Sequence, residues 1–281
     1  MNTQQPDDQH PDPQLLVSPL YLAGRGNPDA VSNALSAQSN WSQATTASGH
    51  LFISPRQDLY AAHLPDTSWG GWTFTQYNAP LGMPEWSARF SRDTPTEIVA
   101  AFTHALAECV ADDHYPGQLG PYDQAPSPAA IPAERGWHNA DTDMDLRRRS
   151  PDGHACLSQR GYDLDDYDEL DGNGQAMWTM SACVDEVNGE CWEAEFTSRT
   201  PLHLVTETVR AFSSTEPVER PRSGIPERNL PYVTTTPAPE PGPDHRRSAA
   251  LARTPHTHPT TTPPTGTTIP DSAPPVPFRR R

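Results

Sequence analysis

The chain has 281 residues, a length that allows one or two ordinary domains. Hydrophobic residues make up only 34% of it and there are 33 prolines, which is typical of a folded part joined to an unfolded part. The formal net charge of -16 argues against general binding to nucleic acids or anionic membranes, because such polyanions attract basic surfaces.

Neither a secretory signal nor a membrane span is predicted. Residues 1–14 are polar, and the apolar runs elsewhere extend over only a few residues. The expected location is therefore the cytoplasm, where cysteines remain reduced. All 20 basic residues are arginines, which excludes mechanisms that need a lysine, such as a Schiff base.

The first predicted module covers residues 15–112, after an N-terminal segment, residues 1–14, that is expected to be disordered. Apolar residues at helical spacing predict a helix over residues 28–40. Four short strands of an antiparallel sheet are predicted to follow. Their apolar positions include, in chain order, Leu51 and Ile53, Leu59 and Leu64, Trp72 and Phe74, and Trp86 and Phe90.

A helix is predicted after this sheet. Thr94 is a candidate N-cap, Pro95 suits the first helical turn, and Glu97 completes a capping box. Apolar residues between Ile98 and Val110 then recur at helical spacing. The module is therefore expected to be a β-β-β-β-α unit of the α+β class, which at this size is only marginally stable alone.

The second predicted module, residues 137–215, follows a linker at residues 113–136 and repeats the first. Tryptophans recur at a constant offset of 106 positions in the later part of each module and of 96 in the earlier part. The difference is expected to be an acidic surface loop inserted between Gly161 and Gly174. The recurring aromatic residues are predicted to form the core: Trp41, Trp72, Trp86, Phe90, Trp137, Trp178, Trp192 and Phe196.

The last two strands of the second module are predicted to form a hairpin with a three-residue loop at residues 187–189, where a glycine suits the left-handed position. This register places Val184 opposite Trp192 and Ala182 opposite Ala194, so that the apolar faces coincide.

Residues 216–281 form a region rich in threonine and proline with few apolar residues. Such a segment buries too little surface to offset its conformational entropy. A disordered, proline-rich C-terminal tail is predicted.

These residues together resemble an actinomycete family known as domain of unknown function 317 (DUF317). The matching elements are Ser18–Gly24, Trp41, Ser54-Pro55, Trp86–Phe90 and, above all, Thr94–Thr103. The resemblance extends over residues 15–215 and implies two tandem copies of the unit, in a genome rich in G and C that accounts for the absence of lysine. It implies no activity. The second copy departs from the pattern, because Leu202-His203 replaces Thr96-Glu97.

No cofactor, metal site or catalytic residue is predicted, and an enzyme is not expected. Residues 169–174 resemble the first half of a calcium loop, but Met180 stands where such a loop needs a bidentate glutamate. The pairs His154/Cys156 and His256/His258 supply too few ligands for zinc.

Two cysteines flank the predicted hairpin loop. Cys183 and Cys191 would be diagonal neighbours on the outer surface of the strands in the predicted register. Because disulfides are rare in the cytosol, two free thiols are expected.

The candidate binding surface consists of Tyr21, Trp69, Tyr77 and Arg89, with Trp69 in a glycine-rich loop as the aromatic residue most expected at the surface. The favoured function is a non-catalytic binding or regulatory protein with a protein partner. The alternative is a single-stranded nucleic-acid-binding protein of whirly or PUR-like architecture, which the acidic charge disfavours, and the third is an enzyme of unrecognised type.

Overall fold

The computed structural model describes residues 12–37, 40–47, 49–67, 69–111, 126–172, 174–185 and 191–239. Residues 1–11 of the predicted disordered N-terminus (1–14), residues 240–281 of the predicted tail (216–281) and much of the predicted linker lie outside these residues.

Most strands belong to one antiparallel sheet of ten strands, in the order β2-β3-β4-β5-β6-β11-β10-β9-β8-β7. The strands from the first module are β2 (Ser42–Thr46), β3 (Gly49–Ile53), β4 (Leu59–His63), β5 (Trp72–Tyr77) and β6 (Pro84–Phe90). Those from the second are β7 (His138–Asn139), β8 (Asp145–Arg149), β9 (Ala155–Arg160), β10 (Trp178–Ala182) and β11 (Trp192–Phe196).

Helices accompany both halves of this sheet. They are α1 (Asp29–Ala37), α2 (Thr96–Ala111), α3 (Ala130–Glu134), α4 (Asp166–Asp171) and α5 (Leu202–Phe212). Helices α2 and α5 pack against each other, while α1 packs on α2 and α3 on α5. The α+β class is confirmed. Each half has one strand more than predicted, β2 or β7, because these edge strands are polar and exposed and carry no apolar alternation.

The two halves meet where β6 pairs with β11. In this pairing Arg89 faces Glu195 and Ala88 faces Phe196. Arg89 and Glu195 are equivalent positions at the offset of 106, so a local two-fold axis passes between them. The sheet therefore continues without interruption from one module into the other.

The core lies between α2, α5 and the inner face of the sheet, the face that carries the buried alternate residues. Seven of the eight aromatic residues predicted for the core are at most 6% exposed. They are Trp72, Trp86, Phe90, Trp137, Trp178, Trp192 and Phe196. Trp41 is partly buried and packs against this cluster. Since aromatic residues from both modules share one cluster, the modules are expected to unfold together.

The beginning of the predicted tail is ordered, which corrects the boundary at residue 216. Strands β12 (Val218–Pro221) and β13 (Thr234–Pro237) both pair with β1 (Gln14–Ser18) in a small separate sheet. Three 3-10 turns, Leu20–Leu22, Arg222–Gly224 and Leu230–Tyr232, flank these strands. This part of the chain has few apolar residues. Backbone pairing with β1 and a small buried cluster of Val17, Ala23 and Ile225 hold it in place instead.

The predicted hairpin register is also wrong by two residues. Trp192 faces Ala182, and Ala194 faces Met180. Cys183 and Cys191 therefore lie directly across from each other, and they form a disulfide with a Cα–Cα distance of 4.4 Å, not two free thiols. The loop residues 186–190 lie outside the described part of the chain.

The turn between β5 and β6 holds an exposed leucine in an unusual conformation. Pro80 and Leu81 occupy its centre, Gly82 N donates to Ala79 O at 2.8 Å, and Leu81 has φ 61° with 95% of its surface exposed. A positive φ at this position favours glycine, because a β-carbon there is crowded.

We therefore expect Leu81→Gly to raise the free energy of unfolding by up to about 1 kcal/mol, because it removes this crowding at a cost in chain entropy. The control Leu81→Ala keeps the β-carbon and should leave stability unchanged. Urea unfolding of both variants measures the difference, and equal stabilities of the two would contradict the assignment.

Among the described residues, no helix is both long and apolar enough to cross a membrane.

Candidate functional site

A cavity of about 350 Å³ lies where the two modules meet, and we call it the junction pocket. The first module lines it from the loop between β4 and β5 and from the residue after β6. The second module lines it from the β10–β11 hairpin. The lining residues are Trp69, Ser91, Ser181, Ala182, Cys183, Cys191, Trp192 and Glu193.

The loop that carries Trp69 is held by hydrogen bonds at Trp69 and at the next residue, Gly70. Arg92 N donates to Trp69 O at 2.8 Å, and Gly70 N donates to the Thr67 hydroxyl at 3.2 Å. Gly70 has φ 63°, and a β-carbon at this position would lie 2.7 Å from the Arg92 side chain. The glycine thus lets the backbone turn beside Arg92, which fixes the position of the neighbouring Trp69.

The opposite wall is fixed by pairing between the modules beyond the end of β6. Ser91 N donates to Glu193 O at 2.8 Å, and Glu193 N donates to the Ser91 hydroxyl at 2.9 Å. The equivalent residues across the local two-fold axis make the same pair of bonds. Thr197 N donates to Ser87 O at 3.1 Å, and Ser87 N donates to the Thr197 hydroxyl at 3.0 Å.

The two sides of the axis differ in the segment that packs beside these hydrogen bonds. In place of the Trp69 loop, the second module has its longer insertion, and α4 of that insertion packs against β6. Arg89 donates to Leu170 O at 2.6 Å. The insertion thus packs against β6, whereas the Trp69 loop lines the junction pocket, and the duplicated framework becomes asymmetric.

The insertion is anchored by a buried ion pair. Glu169 and Arg160 approach to 3.1 Å, and both side chains are 1% exposed. The glutamate that begins the calcium-like sequence is therefore engaged with arginine. In the part of the chain that the structure describes, no group of three or more His, Cys, Asp or Glu residues could hold a metal ion.

Two carboxyl groups of β11 point away from the inner face, on the side of the sheet that we call the outer face. Burial raises the pKa of Glu195, and the nearby Glu193 raises it further, while Arg89 opposes the shift. The pKa of Glu193 is also raised by the protein packed around it, although its side chain remains exposed and solvent screens the effect. Two carboxyl groups that influence each other thus lie on the strand that borders the junction pocket.

The raised pKa of Glu195 predicts a gain in stability when its charge is removed. Because the folded-state pKa lies above the unfolded value, the folded protein binds more protons between the two, and stability falls as pH rises through that window. We expect Glu195→Gln to raise the free energy of unfolding at neutral pH by up to about 1 kcal/mol. The gain should vanish at low pH, where the carboxyl group is protonated in both states.

Urea unfolding at neutral and at acidic pH measures this difference. The control Glu108→Gln makes the same charge change on the exposed side of α2. An equal gain in the control would show that the effect reflects net charge alone.

The structure separates the four residues of the predicted binding surface. Trp69 lines the junction pocket and is partly buried. Tyr77 is partly buried with its ring against Tyr60, at a centroid distance of 5.2 Å, and Arg89 is bound to the insertion. Tyr21 does not belong to an exposed surface, because it is 6% exposed.

Tyr21 instead joins the two modules. Its hydroxyl donates to Asp152 Oδ2 at 2.8 Å, and its carbonyl accepts from Trp192 Nε1 at 2.9 Å. Burial and the Asp152 carboxylate raise the pKa of Tyr21 well above its usual value. A tyrosine in the opening motif of the first module thus supports the core of the second.

Fold and site together define a two-module α+β protein with a pocket at the junction of its modules. Residues 53–109 and 149–218 each match the family described as SPDY, Domain of unknown function (DUF317). The match of both segments confirms the resemblance to DUF317 found in the sequence and is consistent with two copies. No curated protein and no solved structure matches the chain.

Proposed function

We propose that this chain is a non-catalytic binding protein and that the junction pocket receives part of a protein partner. The observation that carries the proposal is the asymmetry of the framework. Equivalent hydrogen bonds shape both sides of the axis, but the insertion packs against β6 on one side, and the pocket lies beside the Trp69 loop on the other. An aromatic ring, hydroxyl groups and a carboxyl group in one concave site are typical of ligand recognition.

The alternative, single-stranded nucleic acid binding, finds less support on the outer face. The carboxyl groups of Glu193 and Glu195 repel phosphate, and the Tyr77 ring is engaged with Tyr60. Arg89 is bound to the insertion. We expect no shift of a labelled single-stranded oligonucleotide even at low salt, where electrostatic binding is strongest. A shift that disappears as salt is added would support the alternative instead.

The pocket can be tested with fluorine NMR on protein containing 5-fluorotryptophan. The chain has 7 tryptophans, and Trp69→Phe assigns the signal of the pocket. We expect that one class in a panel of N-acetyl amino-acid amides shifts the Trp69 signal at millimolar concentration. The signal of Trp41, which does not line the pocket, serves as the internal control. If no compound shifts the Trp69 signal, or if all tryptophan signals shift alike, the pocket is not the binding site.

We also propose that the protein is located in the cytoplasm. Cys156 is a partly buried thiol, as expected in a reducing compartment, whereas the Cys183–Cys191 disulfide is more typical of an oxidising one. Alkylation of thiols in freshly lysed cells distinguishes a reducing compartment from an oxidising one. Labelling of Cys183 and Cys191 in native lysate would support the cytoplasm, and protection of both until reduction would contradict it.

A further inference from the structure

We infer that the junction pocket binds the guanidinium group of an arginine side chain on the partner. This inference rests on the proposed function and names the ligand of the same pocket. It is carried by three features of the pocket lining: a carboxyl group without an ion pair, an aromatic ring and the hydroxyl-bearing Ser181.

Glu193 supplies the charge. Its backbone is fixed by Ser91, but no arginine or histidine lies within ion-pair distance of its carboxyl group in the described ranges. The neighbouring Glu195 differs, because Arg89 faces it across the strands. The protein packed around Glu193 raises the pKa of its carboxyl group, and solvent screens this effect because the side chain is exposed. A guanidinium group from outside would supply a cation for this carboxyl group.

Trp69 supplies the aromatic surface. Tryptophan binds cations through its ring more strongly than phenylalanine or tyrosine does, and planar guanidinium groups stack on such rings. Ser181 lines the same cavity, and its hydroxyl group can accept a hydrogen bond from one of the remaining N–H groups. The Ser91 hydroxyl is already engaged with Glu193 N and with the Thr94 hydroxyl.

The size of the junction pocket and the charge of the protein suit a guanidinium group. The cavity volume of about 350 Å³ exceeds that of one arginine side chain. The net charge of -16 attracts basic peptides over long range. Arg92, which adjoins Ser91, donates to the Pro65 carbonyl at 2.5 Å and lines a different cavity.

Titration with N-acetyl-arginine amide, followed by the fluorine signal of Trp69, tests the inference. The isosteric probe N-acetyl-citrulline amide keeps the shape and most hydrogen-bonding groups but is uncharged. We expect arginine to shift the Trp69 signal to saturation and citrulline to bind at least about tenfold more weakly. Equal binding of both probes would overturn the inference and point to a neutral ligand.

Two substitutions in β11 test which carboxyl group binds the arginine probe. Glu193→Gln should weaken arginine binding by about tenfold, whereas Glu195→Gln should change it by less than about twofold, although both remove one negative charge from the same strand. Equal losses in both variants would show general attraction to an acidic protein and would overturn the inference. Circular dichroism establishes that both variants are folded.

The outcomes separate this inference from the proposed function. If arginine has no effect but another class of amino-acid amide shifts the Trp69 signal, the pocket binds a different ligand and only the inference fails. If no class has an effect, the proposed function fails as well.

Discussion

Replacement of Glu169 with alanine is expected to lower the free energy of unfolding by about 3–5 kcal/mol, because it leaves the buried Arg160 without its counter-ion. The two side chains approach to 3.1 Å and are 1% exposed. Glu169 also accepts from Met177 N at 2.7 Å and from Ser198 N at 2.9 Å. Its removal would therefore leave the buried charge of Arg160 without a counter-ion and two backbone donors without partners.

Urea unfolding measures this loss, and a second ion pair of α4 provides the control. Arg199 and Asp166 approach to 2.8 Å, but their side chains are 61% and 41% exposed. Since exposed ion pairs contribute little, Arg199→Ala should cost less than about 1 kcal/mol. If Glu169→Ala costs no more than this control, the buried pair does not anchor the insertion.

Phe102→Ala is expected to destabilise the protein by a similar amount, about 3–5 kcal/mol, through the cavity it leaves in the core. Phe102 is fully buried on α2. Its ring lies 4.8 Å from that of Phe74 and 5.5 Å from that of Phe90, both in the first module, and 5.9 Å from that of Phe196 in the second. One side chain thus contacts aromatic residues of both modules.

The exposed neighbour His104 on the same helix provides the control, and His104→Ala should change stability by less than about 0.5 kcal/mol. Thermal unfolding of Phe102→Ala should remain a single transition at lower temperature. A second transition that appears only in this variant would show that the modules are stabilised separately.

The residues on the inner face of the large sheet could be predicted, because apolar residues alternate with polar ones along its central strands. Trp72 and Phe74 alternate with threonines, and the positions at an offset of 106 repeat the pattern. The edge strand β2 could not be found in this way because its residues are all exposed. Strand β13 has the sequence TTTP, and backbone pairing with β1, distant in sequence, determines its structure.

The hairpin register shows a second limit. A shift of two residues leaves every side chain on the same face of a strand, so the apolar pattern does not distinguish the two alignments. The predicted alignment therefore satisfied the pattern, yet it placed Cys183 and Cys191 diagonally and not directly opposite each other. The disulfide shows the correct alignment.

Only one residue of the junction pocket, Trp69, was predicted as part of a binding surface. Its signal was local, since a tryptophan beside two glycines in a loop does not fit a strand or helix. Ser91 and Glu193 meet only through the pairing of β6 with β11. Arg89 and Glu195 occupy equivalent positions of the two modules and carry opposite charges. This complementarity is the sequence signal that could have indicated the pairing of β6 with β11.

The central claim is that the two modules form one structure with the candidate site at their junction. Its most direct test is urea unfolding of the full chain containing 5-fluorotryptophan, with the signals of Trp72 in the first module, Trp178 in the second and Trp69 at the junction followed separately. We predict that all three native signals disappear at the same urea concentration, as in a two-state transition. Loss of the Trp72 and Trp178 signals at clearly different concentrations would contradict the claim.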